Sequence, residues 1–291
     1  MKNEISLLLE SYATNTDSEA IHALKEIIQE LVLASLSKSD FFDKAAFYGG
    51  TALRIFHNLP RFSEDMVFTL LQPDPTFQMD KYFDVILEEL TSYGFDIEAH
   101  SKKKRIVSPI QSAFLKGNTE YHLVKFLARE RPIRGVPRNA VITIKLEIDI
   151  DPPAGAHVER RFRLQPSPYS VLLYDLPSLF AGKMHALLCR KWKQREKGRD
   201  FYDYVWYLQQ GTEVNLFHVE QRMRQSGDWK KEDNLTKDDL IELLLVRFSQ
   251  AHYDLIKDDI SPFIRDQSSI SLYSEEFFRS ITKEYLSVTH S

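Results

Sequence analysis

The sequence contains little of what secreted, membrane-spanning or disordered chains require. Cys189 is the only cysteine in 291 residues, which excludes an internal disulfide framework and a zinc cage built from cysteines and predicts a reduced core thiol. No stretch approaches the roughly eighteen consecutive apolar residues of a transmembrane helix. Glycine and proline number 10 and 12, whereas 43% of the residues are hydrophobic. This composition predicts a compact globular protein of the cytoplasm.

Positive charge is not in excess overall. The chain has 42 acidic against 38 basic residues and a formal net charge of −4, which argues against a protein whose whole surface binds nucleic acid. The basic residues are nevertheless clustered, at 102–105, 129–138 and 190–199. Such clustering favours one polyanion-binding groove, although ordinary solvated loops would give the same pattern.

Residues 47–68 contain the most informative pattern. The short apolar run 45–48 precedes Gly49 and Gly50, and apolar residues then recur at helical spacing over 51–56, which predicts a strand, a tight turn and a helix. Adjacent glycines let backbone N–H groups approach an anion closely, and the helix N-terminus adds positive potential. The turn could therefore bind a phosphate, although a plain strand-to-helix turn would have the same sequence.

A second apolar stretch, 62–70, follows Pro60. Period two predicts a strand with Ser63, Asp65 and Val67 on one face and apolar residues on the other. A carboxylate would then project beside the glycine turn. Carboxylate oxygens bind divalent cations, and a cation next to a phosphate-binding turn is the arrangement of metal-assisted nucleotidyl transfer.

These two segments together resemble a known family. Residues 49–54, Gly-Gly-Thr-Ala-Leu-Arg, and 63–68, Ser-Glu-Asp-Met-Val-Phe, are similar to the Gly-Gly-Thr-x-Leu-Arg and Ser-x-Asp-x-Asp-Phe motifs of the AbiEii/AbiGii toxin nucleotidyltransferases. That family includes the MenT-type toxins and belongs to the DNA polymerase β-like superfamily. Val67 replaces the second aspartate, and an isopropyl group cannot bind a cation. The chain is a degenerate member, completes its metal site elsewhere, or carries a change because the active form harmed its host.

Residues 141–150 alternate between apolar and polar side chains, which predicts a strand with one polar face. Solvent exposure alone would explain that face. The resemblance implies instead that a later strand supplies another metal-binding carboxylate, with Glu147 or Asp149 as candidates and Glu147 slightly favoured. Two prolines and a glycine predict a basic loop at 131–138, either an ordinary connection or a contact with substrate phosphates.

Two helices further along complete the resemblance. One is predicted to begin at Asp175 and Pro177, and Gly198 is predicted to precede another. Residues 179–187 and 195–203 resemble the second half of the family motif set. The resemblance implies that Lys183 binds nucleotide phosphate and that Asp200 orients basic groups or assists deprotonation of the attacking hydroxyl. The helix dipole alone would also favour an acid at the start of a helix.

The predicted fold is α+β. A nucleotidyltransferase-like mixed sheet flanked by helices is expected in residues 1–165, including an amphipathic helix capped by Asp17 or Ser18. A mainly helical domain is expected in residues 166–291, with the boundary at the Pro-Ser-Pro segment 166–168 and a helical pattern throughout beyond it.

The resemblance implies a toxin-type nucleotidyltransferase of a bacterial toxin–antitoxin or phage-defence system. It would transfer a nucleotidyl group from an NTP to an acceptor, a tRNA 3′ end in the MenT-like branch, arrest growth, and have a cognate antitoxin protein as partner. Asp65, Lys183 and Asp200 would be catalytic, and Asp65 with Glu147 or Asp149 would hold Mg²⁺ or Mn²⁺. The implied nucleotide-binding residues are Gly49, Gly50, Thr51, Arg54, Ser63, Lys183 and Arg199. The alternative is a catalytically impaired relative that binds nucleotide or RNA.

Overall fold

A computed structural model describes residues 4–12, 15–100, 119–127, 141–190 and 196–289. The predicted basic stretches at 102–105 and 131–138 and the β-like run at 112–115 lie outside the described residues, as do residues 191–195 of the third basic stretch.

One mixed sheet holds seven of the described strands, namely β1 (Ala45–Tyr48), β2 (Asp65–Leu70), β3 (Asp96–His100), β4 (Thr119–Leu127), β5 (Val141–Asp149), β6 (Val158–Arg163) and β7 (Tyr169–Tyr174). Their order is β3-β4-β5-β2-β1-β7-β6. β1 is antiparallel to β2 and parallel to β7, while β2 is parallel to β5. A short parallel pair joins β8 (Val214–Asn215) to β9 (Val288–Thr289).

Helices of the described residues surround the sheet and form most of the chain after β7. They are α1 (Glu4–Glu10), α2 (Asp17–Ser37), α3 (Phe41–Lys44), α4 (Gly50–His57), α5 (Phe83–Ser92), α6 (Leu176–Cys189), α7 (Gly198–Gln209), α8 (Leu216–Ser226), α9 (Lys237–Ser249), α10 (Tyr253–Ile260) and α11 (Glu275–Tyr285). Short 3₁₀ turns lie at Met79–Tyr82, Ser261–Phe263 and Gln267–Ile270.

The predicted strand, turn and helix around the two glycines are confirmed. β1 ends at Tyr48, Gly49 has φ +86°, a region that favours glycine, and α4 begins at Gly50. β2 alternates as predicted, with Met66 and Phe68 buried and Asp65 and Val67 partly exposed. The period-two pattern therefore decides which side chains of β2 face the site.

The cap of α2 differs from the prediction. Thr16, and neither Asp17 nor Ser18, is the N-cap, because its extended backbone lets its hydroxyl accept from the backbone N–H of Glu19. The Glu19 carboxylate in turn accepts from the backbone N–H of Thr16 at 3.2 Å, which completes a capping box.

The chain beyond residue 168 was expected to be helical throughout. This expectation is wrong for residues 169–174, which form the strand β7. β7 lies between β1 and β6, and Tyr169, Val171 and Leu173 are buried at every second position, which is the strand period. β6 was missed because three of its six residues are arginines. It lies at the edge of the sheet, where charged side chains stay exposed. The predicted boundary at 165/166 thus falls between two paired strands.

Aromatic side chains fill the core beneath the sheet and among the later helices. Phe68 of β2 packs against Phe41 and Phe47, with ring centroids 5.0 and 5.1 Å apart. α2 contacts β5, β7 and α5. Buried residues from the sheet and from α6 to α11 form one continuous hydrophobic cluster. Among the helices that the structure describes, none has the length and apolar character needed to cross a membrane.

Replacing Phe68 by alanine should lower the free energy of unfolding by about 3–5 kcal/mol, because the ring is fully buried and its removal leaves a cavity. Phe162→Ala is the matched control. Its ring is 75% exposed on β6, so the change should stay within about 0.5 kcal/mol. Urea unfolding followed by circular dichroism measures both, and equal losses would contradict this assignment of the core.

Candidate active site

Polar side chains lie on one face of β2 and β5. The parallel register pairs Asp65 with Lys145, Val67 with Glu147, and Thr69 with Asp149. The intervening residues of both strands are buried in the core. The side chains of these six residues consequently share the other face of the sheet.

The glycine turn borders this face. A Cβ on Gly49 would lie 3.6 Å from Val67, and one on Gly50 would lie 2.7 Å from Nη2 of Arg61. The second contact is closer than a Cβ tolerates, so a side chain at position 50 would displace the Arg61 guanidinium from Asp203. Thr51 Oγ1 hydrogen-bonds to the Ser63 hydroxyl at 2.9 Å and to the Asp65 carbonyl oxygen at 2.5 Å. Together, these contacts bring the turn, Thr51, Ser63 and Asp65 to one place.

A buried ion network joins this turn to the later helices. Arg61 donates from Nε and Nη2 to the two carboxylate oxygens of Asp203, at 2.5 and 2.6 Å. Lys183 Nζ lies 2.6 Å from Asp200 Oδ1 and 2.7 Å from Asp203 Oδ2. Arg190 Nη1 approaches Asp200 Oδ2 at 3.3 Å. Lys183 is thus linked to Gly50 through Asp203 and Arg61, and its role in nucleotide binding stays a prediction.

Both carboxylates of the network are held in the ionised form. Burial by itself would raise the pKa of Asp200, but Lys183 and Arg190 hold that pKa well below its usual range. Burial alone would likewise raise the pKa of Asp203. Arg61 and Lys183 outweigh burial there, so the pKa of Asp203 is also lowered. Burial, assisted by Arg190, lowers the pKa of Lys197 to about 8. The network therefore joins Arg61, Lys183 and Arg190 to two ionised carboxylates in a largely buried place.

The two remaining predicted nucleotide-binding arginines have protein partners. Arg54 donates to Glu26 Oε2 at 2.8 Å and to the Leu59 carbonyl oxygen at 3.0 Å. Arg199 lies 3.7 Å from Glu64 Oε2 and 4.2 Å above the Phe263 ring. Arg199 is one residue from Asp200, at the start of α7, whereas Arg54 faces α2. A nucleotide-binding role stays a prediction for both.

Sequence reasoning missed Arg61 and Arg222. Arg222 lies on α8, with its guanidinium 5.9 Å from the Tyr48 ring and its charge acting on Asp149. Its Nε is buried and has no hydrogen-bond partner in the described part of the chain. A buried donor without a partner is costly, so this guanidinium suits an incoming anion. No local pattern in the α8 sequence indicates this position.

The carboxylates on the sheet face differ in charge state and partners. Burial raises the pKa of Asp149, which favours its neutral form. Glu147 forms an ion pair with Lys145. Within the described residues, the Asp65 carboxylate has no ion-pair partner within 4 Å. Asp65 is consequently the carboxylate most available to a cation.

A comparison with known protein families identifies the family to which the chain belongs. The family described as "Nucleotidyl transferase AbiEii toxin, Type IV TA system" matches residues 31–279, well over half of the chain. The chain belongs to this family. Membership makes it a nucleotidyltransferase toxin of the type IV toxin–antitoxin class and confirms the resemblance first indicated by the two glycines and Asp65.

One solved structure supports the fold, and a second has a lower similarity. MenT4, a nucleotidyltransferase toxin from Mycobacterium tuberculosis H37Rv, is 19% identical with a TM-score of 0.57, over 96% of this chain and 87% of its own. JHP933 from Helicobacter pylori is 16% identical with a TM-score of 0.43, over 89% and 88%. No curated protein matches the chain. The predicted α+β class, a mixed sheet followed by a mainly helical segment, is confirmed.

Enzymes of this family generally use an NTP and a divalent metal ion, and the sheet face has carboxylates that suit one. Asp65 and Glu147 are diagonal neighbours on adjacent strands and offer the hard oxygen donors that Mg²⁺ and Mn²⁺ prefer. Val67 lies between them and offers none. The residues therefore fit a single metal ion. To bind it, Glu147 would have to leave its ion pair with Lys145.

Asp203→Asn should lower the free energy of unfolding by about 3–5 kcal/mol at pH 7, because it leaves the buried Arg61 guanidinium without its anion. The lowered pKa of Asp203 means that its contribution is present above the unfolded value, near 3.8, and is lost as the pH falls below it. The difference between wild type and variant should accordingly shrink on acidification.

Urea unfolding between pH 7 and pH 3 measures this difference, with Asp43→Asn as the control, since Asp43 is exposed on α3. A loss below about 1 kcal/mol at pH 7, or one that is constant with pH, would contradict the ionised pair.

Proposed function

We propose that this chain transfers a nucleotidyl group from an NTP to an acceptor, a tRNA 3′ end, at the cleft between the glycine turn and Lys183. The observation that carries the proposal is the continuous link from Lys183 through Asp203 and Arg61 to Gly50. This link between motifs from both halves of the chain supports a single site shared by Lys183, the glycine turn and Asp65, whose carbonyl oxygen accepts from Thr51.

Binding of the triphosphate follows from the groups that border this cleft. The N–H groups of Gly49 and Gly50 and the N-terminus of α4 suit phosphate oxygens, and the Ser63 hydroxyl lies beside them. Lys183 and Arg222 add positive charge from α6 and α8. Because Lys183 already contacts two carboxylates, it is held in position before the nucleotide arrives.

The reaction is an in-line attack of the acceptor hydroxyl on the α-phosphorus, with pyrophosphate leaving. Asp200 is a poor proton acceptor at neutral pH because its pKa is held low, so we assign it to orienting Lys183 rather than to deprotonation. Asp65 and Glu147 would hold Mg²⁺ or Mn²⁺, which supplies charge neutralisation on the phosphates. Asp149 is the less suitable ligand because burial raises its pKa.

The cellular role follows from the family and the acceptor. Nucleotidyl transfer to the 3′ end of a tRNA would block its aminoacylation and arrest growth, and a cognate antitoxin would prevent this. We place the reaction in the cytoplasm, where NTPs and tRNA occur, within a toxin–antitoxin or phage-defence system.

Purified protein incubated with each α-labelled NTP, Mg²⁺ or Mn²⁺ and total RNA should label RNA of tRNA size. Asp65→Asn and Lys183→Met should each lower the rate by about 100-fold or more, because each removes charge stabilisation at the reacting phosphates. The exposed Asp43→Asn and Lys81→Met variants are matched controls and should keep the wild-type rate. Absence of transfer with every NTP, or full activity of Asp65→Asn, would refute the proposal.

Val67 favours a second function, nucleotide or RNA binding without chemistry, because this position opposite Glu147 offers no metal ligand. Val67→Asp adds a third carboxylate beside Asp65 and Glu147. Without metal, their repulsion should lower the melting temperature, and Mn²⁺ should restore it. Val67→Asn has the same size without the charge and should respond to Mn²⁺ like the wild type.

Differential scanning calorimetry with and without Mn²⁺ measures this response, and identical shifts in the two variants would show that residue 67 is not at the metal position. If Val67→Asp gains the Mn²⁺ response and transfers nucleotide while the wild type only binds NTP, the binding function is the right one for this chain.

A further inference from the structure

Successive backbone carbonyl oxygens at the start of β2, those of residues 62–65, each accept a hydrogen bond from a side chain. β2 begins at Asp65, and its pairing with β1 begins only at Val67, so these oxygens precede that ladder. Arg61 Nη1 donates to the Phe62 oxygen at 2.9 Å. Thr51 Oγ1 donates to the Asp65 oxygen at 2.5 Å. Side chains thus replace the missing strand partner in this segment.

Gln29 of α2 supplies the hydrogen bonds to the two central oxygens. Its Nε2 donates to the Ser63 carbonyl oxygen at 3.1 Å and to the Glu64 carbonyl oxygen at 2.9 Å, which uses both amide protons. The side chain is fully buried, and its Oε1 has no hydrogen-bond partner among the described residues. The reversed amide would set Oε1 against two carbonyl oxygens. The two carbonyl groups therefore fix the orientation of this amide.

Packing alone does not account for a glutamine at this position. Ile28 and Leu33 of the same helix are also fully buried, and both are apolar. An apolar residue at position 29 would fill the space without burying an unpaired acceptor, which is costly. It would, however, leave the Ser63 and Glu64 oxygens without their donor. The contact with this segment is what distinguishes Gln29 from its apolar neighbours.

A second contact from α2 reaches the same segment. Lys25, one turn before Gln29, donates from Nζ to Glu64 Oε1 at 2.8 Å. Glu64 therefore contacts α2 through its backbone and through its side chain. The next residue, Asp65, has its side chain on the sheet face that it shares with Lys145. α2 thus holds the chain directly before the carboxylate assigned to the metal ion.

We propose that Gln29 is a positioning residue of the active site and that it sets the places of the Ser63 hydroxyl and the Asp65 carboxylate. Its effect on catalysis rests on the nucleotidyl transfer proposed above. In that reaction Ser63 lies beside the triphosphate and Asp65 holds the metal ion, and groups in such roles act only within a narrow range of positions. Gln29 is fully buried and acts through the backbone, without touching the nucleotide.

Gln29→Met in the full chain tests this role, because methionine has a similar length and donates no hydrogen bond. Amide hydrogen exchange of a peptide covering residues 61–67 reports how firmly the segment is held. We expect about 10-fold faster exchange in the variant, since two hydrogen bonds are lost.

The label-transfer assay measures the catalytic effect of the same variant. kcat should fall by about 10–100-fold, because a misplacement of about 1 Å at reacting groups can cost about 100-fold in rate. KM for the NTP should change less than kcat, because the glycine turn and Lys183 keep their places around the triphosphate.

Leu36→Ala is the control for a general loss of stability. Leu36 is fully buried on α2, about 10 Å further along the helix axis than Gln29. Its replacement should lower the melting temperature at least as much as Gln29→Met does, yet keep the wild-type exchange at residues 61–67 and the wild-type kcat.

Unchanged exchange or unchanged kcat in Gln29→Met would overturn the inference, and so would equal losses of kcat in Gln29→Met and Leu36→Ala. A wild type that transfers no nucleotide would refute the proposed reaction. In that case the exchange comparison still decides whether Gln29 holds the segment that carries Ser63 and Asp65.

Discussion

The buried contact between Arg61 and Asp203 holds the two parts of the site in one place. They lie 142 residues apart in the sequence, on either side of six of the seven sheet strands, β2 to β7, and each is almost fully buried. A buried charge is tolerated only when its partner and hydrogen bonds are complete, so α7 is held where Asp203 meets Arg61, in the segment between α4 and β2. Lys183 is fixed by the same carboxylate. The position of Lys183 relative to the glycine turn is therefore fixed by the need to pair these buried charges.

The carboxylates of the sheet face differ in how much negative charge they offer to a cation. With Val67 between Asp65 and Glu147, the face holds fewer carboxylates, and Lys145 is enough to neutralise Glu147. Asp149, at the more buried end, moves towards its neutral form. The face thus has less negative charge to attract a metal ion than its three carboxylates indicate, and Asp65 is the one left without an ion pair among the described residues.

Local patterns predicted the parts of the fold that depend on neighbouring residues. The glycine turn, the exposed face of β2 and the helix starts near Asp175 and Gly198 all follow from period, turn and capping rules, and the structure has each of them. The place of β7 in the sheet could not be read in this way, since strand order depends on partners far away in sequence. Arg61 and Arg222 were missed for the same reason. Their possible roles depend on burial and on contacts with residues far away in the sequence.

The central position of β7 has a consequence for the order of events during translation. β1 and β2 emerge early, yet the sheet lacks its strand between β1 and β6 until Tyr174 has been synthesised, and Asp203 follows later still. Contacts between such distant segments form late and slowly. A nascent or prematurely terminated chain consequently has no assembled cleft, and the ribosome must complete at least two-thirds of the polypeptide before the site can exist.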